Sequence, residues 1–138
     1  VDSTEKRIRY VNGAAKELSL NNVSAIAARA EELGKKDIYR ESFDLVTARA
    51  VAALPVLCEY CLPLVKVGGT FVAMKANADD ELAASKKAIS LLGGELCECK
   101  KIKLPISQSE RTLIIVNKIK NTPAAYPRAG GAIAKKPL

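Results

Sequence analysis

The strongest constraint on the fold is a pair of short apolar runs separated by a stretch of helical pattern. Phe43–Ala50 and Gly68–Lys75 are rich in β-branched and aromatic residues and are bounded by turn or polar residues, which predicts two buried strands. The helical pattern between them predicts a right-handed parallel crossover. Arg49 and Lys75 place a cation at the carboxyl end of each strand. Because open parallel sheets bind ligands at that edge, we expect the functional site there.

The residues before this unit predict a helix and a further short strand. Ser3 is a suitable cap for a first helix, whose apolar positions then recur at helical spacing. Residues 23–27 predict a short strand, and residues 28–34 predict a loop with about one helical turn. Helices and strands therefore alternate, which is typical of an α/β sheet.

The residues after the unit predict a different ending. Gly68-Gly69 is expected to turn the chain into the second strand, and Gly93-Gly94 to stop a later helix. Residues 95–104 and 111–119 predict two successive strands, and so an antiparallel hairpin at the edge of a mostly parallel sheet. We assign residues 1–120 to one domain. Residues 121–138 contain proline and no acid, and they predict an extended tail that is at most partly ordered.

The charge of the chain favours a polyanionic partner. Twenty-two Lys and Arg against 15 Asp and Glu give a net charge of +7, as in many proteins that bind nucleic acid. The positive charge is concentrated after Glu110, where basic residues occur without any acid. A basic terminus that only increases solubility is an equally open interpretation.

Several classes of site are excluded or disfavoured by composition. The chain has no histidine, which excludes histidine general-base catalysis and imidazole metal ligands. Cys58 and Cys61 fall within a predicted helix, whereas Cys97 and Cys99 alternate along a predicted strand. Structural zinc usually requires cysteine pairs in turns, so we expect no metal and interpret the cysteines as small buried apolar residues. No long apolar run or signal peptide is present, and we expect a cytoplasmic protein with reduced cysteines.

Four phrases of the sequence resemble one known family. They are Val1-Asp-Ser3, Phe43-Asp-Leu-Val-Thr-Ala-Arg-Ala-Val51, Leu62-Pro-Leu-Val-Lys-Val-Gly-Gly69 and Thr122-Pro-Ala-Ala-Tyr-Pro-Arg128. Their order and spacing are similar to those of ribosomal RNA small subunit methyltransferase G, also called glucose-inhibited division protein B. The resemblance implies a Rossmann-like class I methyltransferase fold and methylation of guanine N7 in 16S rRNA by S-adenosylmethionine.

The resemblance covers nearly the whole chain but only part of the family's length. It implies that the family's N-terminal helices, first strand and Gly-rich cofactor loop would precede Val1. We therefore expect this chain alone to be inactive. We also expect the Phe43 strand to have an unpaired, apolar side, because the implied first strand would lie beside it.

The resemblance also implies residues that contact the cofactor. Arg49 would close the methionine or substrate side of the pocket, Ala30 and Glu31 would contact the adenine, and Asp2 would hold the ribose hydroxyls. The residues themselves leave alternatives open. Arg49 is also consistent with a surface ion pair, Glu31 with an acid in the first turn of a helix, and Asp2 with a helix cap.

Three cations are implied in RNA recognition. Lys75, Arg111 and Arg128 match basic positions of the family and would contact RNA phosphates. The alternative for each is a solvated cation. The family often continues its lysine as Lys-Gly-Pro, whereas this chain reads Lys75-Ala76-Asn77, and the shape of that loop is therefore open.

The implied reaction needs no protein base. Guanine N7 carries an unprotonated lone pair at neutral pH, so alignment and electrostatic stabilisation suffice, and we assign no catalytic residue. The main alternative is a non-catalytic basic RNA-binding α/β domain. Another nucleotide-binding Rossmann enzyme is a weaker alternative, because the chain lacks Gly-x-Gly-x-x-Gly.

Overall fold

The computed structural model describes residues 1–129 and 131–138, except for the side chain of Asp79. In sequence order its elements are α1 (Glu5–Glu17), α2 (Ala30–Leu33), β1 (Phe43–Arg49), α3 (Leu54–Cys61), a 3₁₀ turn (Leu62–Leu64), β2 (Val65–Lys75), α4 (Asp79–Leu91), β3 (Gly94–Lys103), β4 (Glu110–Lys118) and α5 (Ala132–Lys135). From β1 to the hairpin, its strands and helices alternate in the predicted order.

The four strands form one mixed sheet in the order β1-β2-β4-β3. β1 and β2 are parallel, with Arg49 opposite Met74, whereas β4 is antiparallel to both β2 and β3. The predicted α/β class and closing hairpin are confirmed, and parallel pairing among these four strands is limited to β1 and β2. Strand β1 lies at an edge, with Phe43 and Leu45 exposed, as the expectation of an unpaired apolar side requires.

Helices α3 and α4 cover one face of the sheet and form the core with it. Phe71 and Ala73 of β2 and Ile114 and Val116 of β4 are fully buried against this helical layer. Their alternation along the strands follows from the two-residue period of a β-strand. Burying a side chain the size of Phe71 contributes about 1.5–3 kcal/mol, so this layer fixes the register of the sheet.

Glycines permit two close approaches on which the sheet depends. A Cβ on Gly69 would lie 2.7 Å from the Asp44 backbone oxygen. Gly93 has a φ of +83°, and a Cβ on it would clash with the Lys120 carbonyl oxygen. Gly93 ends helix α4 as predicted, because this left-handed conformation suits glycine. Gly68-Gly69, in contrast, lies within β2 rather than before it, so the predicted turn there is wrong.

The N-terminal residues differ from the prediction in two details. Thr4 rather than Ser3 occupies the N-cap position of α1. Residues 23–27 do not form a strand but make a single parallel bridge, in which Ala27 pairs with Asp2. A strand requires a continuous ladder of backbone hydrogen bonds, and among the described residues this stretch has only the bonds on either side of Asp2.

The C-terminal segment packs against the body of the molecule, contrary to the predicted extended tail. Ile133 of α5 is fully buried, and α5 contacts α3. Arg40 donates to the carbonyl oxygens of Thr122 and Tyr126 at 2.7 Å each. The prediction failed because proline-rich composition says nothing about backbone carbonyls that a distant arginine can bind. Gly130, within the predicted tail, lies outside the described residues.

Candidate cofactor and nucleic-acid site

The ends of all four strands contribute cations to one edge of the sheet. Thr112 lies opposite Lys75, and Arg111 lies opposite Ile102, so the start of β4 and the end of β3 lie beside the carboxyl ends of β1 and β2. Arg49, Lys75 and Arg111 therefore share this edge, on which the sequence predicted Arg49 and Lys75. Lys103 at the end of β3 extends the row, and its position could have been inferred from the predicted hairpin register.

Arg49 is an exposed cation of this edge. It has no hydrogen-bond or ion-pair partner among the described residues, so the alternative of a surface ion pair has no support in this structure. The next residue, Ala50, has a φ of +53°, a left-handed conformation that is unusual outside glycine. Such backbone strain is frequent at binding sites.

Lys75 is held within the protein. Its Nζ donates to the Ala52 carbonyl at 3.0 Å and forms an ion pair with Glu81 at 2.9 Å. The same Glu81 oxygen, Oε2, accepts the backbone N–H of Leu54 at 2.6 Å. Lys75 therefore fixes the loop between β1 and α3, and with it the backbone that follows Arg49.

Arg111 is half-buried, and its side chain bonds locally. Its Nη1 donates to the Glu110 carbonyl at 2.7 Å, and no carboxylate pairs with it among the described residues. A guanidinium that has no acidic partner retains its full charge for an external anion. Arg111 and Arg49 are therefore the two predicted cations whose charge this structure leaves uncompensated.

Asp2 lies just before α1, where its side chain bonds Thr4 and Arg7 and its backbone pairs with Ala27. Its Oδ1 accepts the Thr4 N–H at 2.8 Å, and its Oδ2 accepts Arg7 Nη1 at 3.1 Å. The hydrogen bond from Thr4, followed by that from Arg7, lowers the pKa of Asp2. Because the Thr4 N–H belongs to the N-cap residue and no side chain caps α1, Asp2 is not a helix cap in this structure, and ribose binding stays a prediction. The bridge places the Asp2 backbone beside Ala27, which precedes Ala30 and Glu31 by a few residues in the sequence.

Glu31 is a buried carboxylate whose Oε1 lacks a hydrogen bond. It lies in α2 with 4% of its surface exposed, and Oε1 has no hydrogen-bond partner among the described residues. Arg29 Nη1 approaches this oxygen only to 3.8 Å. Burial and then the Glu31 carboxylate raise the pKa of Tyr60 on α3. An unbonded buried oxygen requires an explanation, and a ligand donor is one.

Arg128 pairs with a fully buried carboxylate on α3. Its Nε and Nη2 donate to Glu59 Oε1 at 2.9 Å and Oε2 at 2.6 Å, and its backbone N–H donates to Oε1 at 2.8 Å. The hydrogen bonds to Glu59 raise the pKa of Arg128. This geometry gives Arg128 a structural role, and its predicted contact with RNA stays untested.

A second buried ion pair anchors the end of β4. Lys118 has no exposed side-chain surface, and its Nζ lies 3.0 Å from Glu41 Oε1. It also donates to the Leu62 carbonyl at 2.6 Å and to Thr122 Oγ1 at 2.9 Å. Burial lowers the pKa of Lys118 against the attraction of Glu41. Sequence reasoning missed this pair and Arg40, because charge alone does not distinguish a buried lysine from a solvated one.

The cysteines differ from each other in exposure, and no metal cluster is present in the described part of the chain. Cys58 and Cys61 are buried as predicted, whereas Cys97 and Cys99 are exposed, contrary to the prediction. Burial raises the pKa of Cys58 and raises that of Cys61 to about 12, which disfavours thiolate ligands. Within residues 1–129 and 131–138, no three Cys, Asp or Glu side chains are grouped to hold a metal ion. Nor do these residues contain a helix long and apolar enough to cross a membrane.

Solved structures with similar folds are methyltransferases. An S-adenosylmethionine-dependent O-methyltransferase from Thermotoga maritima has a TM-score of 0.58 at 14% identity, and the match covers 88% of this chain and 49% of that one. An rRNA methylase from Streptococcus thermophilus has a TM-score of 0.56 at 18% identity, covering 86% of this chain and 71% of that one. At such identities the likeness establishes the class I methyltransferase fold alone.

Sequence comparison establishes the family. The chain is 54% identical over 139 residues to ribosomal RNA small subunit methyltransferase G of Geobacillus sp. (strain WCH70), covering 100% of this chain and 58% of that protein. The protein of the same name from Acetivibrio thermocellus is 48% identical over 138 residues, covering 100% and 57%. The chain therefore spans 57–58% of the length of these curated relatives. Because a sequence model of the family also matches residues 1–114, the chain belongs to the GidB family, rRNA small subunit methyltransferase G.

Proposed function

We propose that this chain acts in transferring a methyl group from S-adenosylmethionine to guanine N7 of 16S rRNA, and that it supplies one rim of the cofactor pocket. Family membership supports the reaction class. The relatives extend well beyond the region that they share with this chain, which supports a pocket completed by further residues.

The observation that carries the proposal is the unbonded oxygen of Glu31. A carboxylate only accepts hydrogen bonds, so Oε1 requires a donor that the described residues do not supply. An exocyclic amine or a ribose hydroxyl of an adenosine moiety would be such a donor. Leaving the oxygen buried without a partner costs about 1–3 kcal/mol, and a bound ligand would recover this cost.

Other residues of the rim have complementary tasks. Ala30 begins the short helix that carries Glu31, and its methyl group is small enough to let a planar ring approach the backbone. Asp2 would accept ribose hydroxyls on carboxylate lone pairs that Thr4 and Arg7 leave available. Arg49 stands exposed at the end of β1, where its guanidinium would orient a carboxylate of the cofactor or an oxygen of the substrate.

The chemistry asks little of the protein beyond alignment. When bound, S-adenosylmethionine supplies a methyl group on a positively charged sulfur. The N7 lone pair needs no deprotonation, which agrees with a chain that has no histidine. An arginine that donated to both O6 and N7 would block the nucleophile, so the basic residues must bind O6 or phosphates and leave N7 free.

We assign the RNA contacts according to pairing. Arg111 has no acidic partner among the described residues, and it would bind an RNA phosphate directly. Lys75 is paired with Glu81, and it would act by fixing the loop that follows Arg49. Arg128 is paired with Glu59, and its role would be to hold the C-terminal segment in place.

The test compares two adjacent glutamates in the full-length protein. Glu31→Gln keeps the size of the buried side chain but removes its charge, whereas Glu32→Gln changes an exposed residue. We expect the first variant to weaken S-adenosylmethionine binding tenfold or more, about 1.4 kcal/mol, and the second to leave it unchanged. Calorimetric titration measures the affinity. Mass spectrometry of digested 16S rRNA measures 7-methylguanosine, which should fall in parallel.

Two outcomes would contradict the proposal. Equal cofactor affinities for Glu31→Gln and Glu32→Gln would return Glu31 to the role of a helix acid. A full-length protein that binds 16S rRNA but not S-adenosylmethionine would favour the non-catalytic RNA-binding alternative.

The incomplete pocket has its own test. The 138-residue chain alone should bind S-adenosylmethionine much more weakly than the full-length protein does, and it should not methylate RNA. Micromolar binding by this chain, with its mass verified, would mean that the rim described here is already a complete site.

A further inference from the structure

A basic pocket lies at the opposite end of β1 from Arg49. Its volume is about 540 Å³, and its cationic walls are Lys35, Arg40 and Arg128, with Pro127 and small alanines between them. Arg40 precedes β1, whereas Arg49 ends it, and a seven-residue strand spans roughly 20 Å. The pocket is therefore distant from Arg49, whereas α2, which carries Glu31, ends two residues before Lys35. No acidic residue lines the pocket.

The charge of this pocket is only partly compensated. Arg128 is paired with Glu59, but Arg40 donates only to backbone carbonyls in the described part of the chain, including those of Gly34 and Tyr126. Lys35 is exposed and makes no ion pair with a described residue. Both terminal nitrogens of Arg40 donate to carbonyls, so Arg40 contributes charge to the pocket, and Lys35 is its cation that has no ion-pair partner among the described residues. Neither charge meets a carboxylate there, which favours an anion.

The pocket is also rigid on its cationic side. The Arg40 guanidinium is fixed by its bonds to the C-terminal segment, at 2.7 Å to both Thr122 and Tyr126 carbonyls. Glu41 holds the same segment through Thr122 N–H at 2.6 Å. Because these groups are already ordered, an anion that binds here causes little further loss of conformational entropy, and even a weak contact can contribute affinity.

The lining identifies the class of anion. The pocket has no aromatic ring for stacking and no amide or carboxylate group for base edges. Arginine can also read guanine, but the guanidinium nitrogens of Arg40 donate to backbone carbonyls, and Nε and Nη2 of Arg128 donate to Glu59. Lysine and arginine beside small alanines instead suit a phosphate, which carries no sequence information. We propose that this pocket binds a backbone phosphate of the RNA substrate, as a contact separate from the carboxyl edge. This inference rests on the proposed function for the identity of the RNA.

The test uses two neighbouring lysines of the full-length protein. Lys35→Gln removes a cation that lines the pocket, whereas Lys36→Gln removes an exposed cation that does not. We expect Lys35→Gln to reduce affinity for a 16S rRNA fragment about threefold to fivefold. The slope of log affinity against log salt should also fall by about 0.7–0.9, the value for one lost phosphate contact. Lys36→Gln should change the slope by much less.

The readouts separate this inference from the proposed function. Cofactor affinity of Lys35→Gln should equal that of the unmodified protein, because Glu31 is not part of the pocket. In nuclear magnetic resonance, the amide signals of Ala124, Ala125 and Ala129 should shift on RNA addition and resist competition by millimolar inorganic phosphate.

Equal salt slopes for the two variants would overturn the inference, as would amide shifts that inorganic phosphate reproduces and RNA does not. The second outcome would identify a site for free phosphate. An acidic protein partner that shifts these amides while RNA leaves them unchanged would overturn it equally. Loss of cofactor binding by Glu31→Gln bears on the proposed function and leaves this inference standing.

Discussion

The two ends of the sheet use the same residue types for different purposes. At the carboxyl edge, Arg49 is exposed and has no partner among the described residues. At the amino edge, where β1 and β2 begin and β4 ends, Lys118 is fully buried and pairs with Glu41. Burial and pairing, rather than residue type, therefore separate a cation available to a ligand from one that holds the fold. The sequence shows only the residue type.

This difference has an energetic basis. An exposed cation is solvated, and its removal changes stability little. A buried cation has lost its hydration, and its contacts must replace that hydration completely. Lys118 meets this requirement with Glu41, the Thr122 hydroxyl and the carbonyls of Leu62 and Val65.

The largest effect should come from breaking the amino-edge pair. Lys118→Ala leaves Glu41 and several buried acceptors without their donor, and we expect the free energy of unfolding to fall by about 3–5 kcal/mol. Lys120→Ala changes an exposed lysine two residues later and should have an effect within about 0.5 kcal/mol. Urea denaturation measures both. Similar small losses for the two variants would mean that Lys118 is hydrated in solution and that the contrast between the edges is wrong.

A second, smaller loss should follow from separating Arg128 and Glu59. Glu59 is fully buried, but the Arg128 side chain is 26% exposed, so we expect Glu59→Gln to cost about 2 kcal/mol, below the range for fully buried pairs. The single variants Glu59→Gln and Arg128→Gln and their combination form a double-mutant cycle. We expect a coupling energy of about 1–2 kcal/mol, since the two groups share several hydrogen bonds.

The same variants can show whether Arg128 binds RNA directly, as proposed for Arg111 at the carboxyl edge. If it bound RNA directly, Arg128→Gln would lower RNA affinity while Glu59→Gln left it intact. If the pair only positions the C-terminal segment, both variants should lower affinity equally. A coupling energy near zero would contradict the structural role.

Local patterns predicted most of the sheet because local chemistry determines it. The β-branched runs gave β1 and the second half of β2, and Gly93-Gly94 gave the end of α4. The strand predicted at residues 23–27 did not form, because strand formation also depends on a distant neighbour. A short apolar run forms a strand only when a neighbour supplies a ladder, and Asp2 supplies one bridge.

The sequence predicted where the candidate site lies, but it did not predict which of its side chains are paired. The carboxyl-edge rule located Arg49 and Lys75 on one edge, and the antiparallel register of β4 adds Arg111 to it. That Lys75 is paired with Glu81 and Arg128 with Glu59 depends on contacts between distant parts of the chain. Such contacts have no local sequence signal, and neither does the burial of Glu59 within a helix.

The third prediction addresses the carboxyl edge directly. In the full-length protein, Arg49→Ala should lower cofactor affinity or turnover about tenfold, which corresponds to about 1.4 kcal/mol. Its free energy of unfolding should stay within about 0.5 kcal/mol, because the side chain is exposed. Arg9→Ala, which removes an exposed arginine of α1, should change neither quantity. A large loss of stability with unchanged kinetics would assign Arg49 to the structural class of the amino edge.

The smallest effect should be the acid sensitivity of the amino edge. Burial alone would raise the pKa of Glu41, but hydrogen bonds from Asn121, Thr122 and Lys118 outweigh it, and the net pKa lies below the ordinary value of 4.5. As the pH falls below that value, the unfolded chain takes up a proton before the folded one does. The stabilisation by Glu41 is therefore complete above about pH 4.5 and is lost as the pH falls through the folded pKa.

Glu41→Gln should remove this contribution, so its free energy of unfolding should vary less steeply with pH below about 4.5 than that of the unmodified chain. Glu95→Gln, at an exposed position of β3, should leave the steepness nearly unchanged. Urea denaturation across this acidic range measures both slopes. If the two variants had the same slope as the unmodified chain, Glu41 would titrate as an ordinary exposed carboxylate. The amino edge would then resemble the carboxyl edge in solution, because a carboxylate with an ordinary pKa gains nothing from Lys118, Asn121 or Thr122.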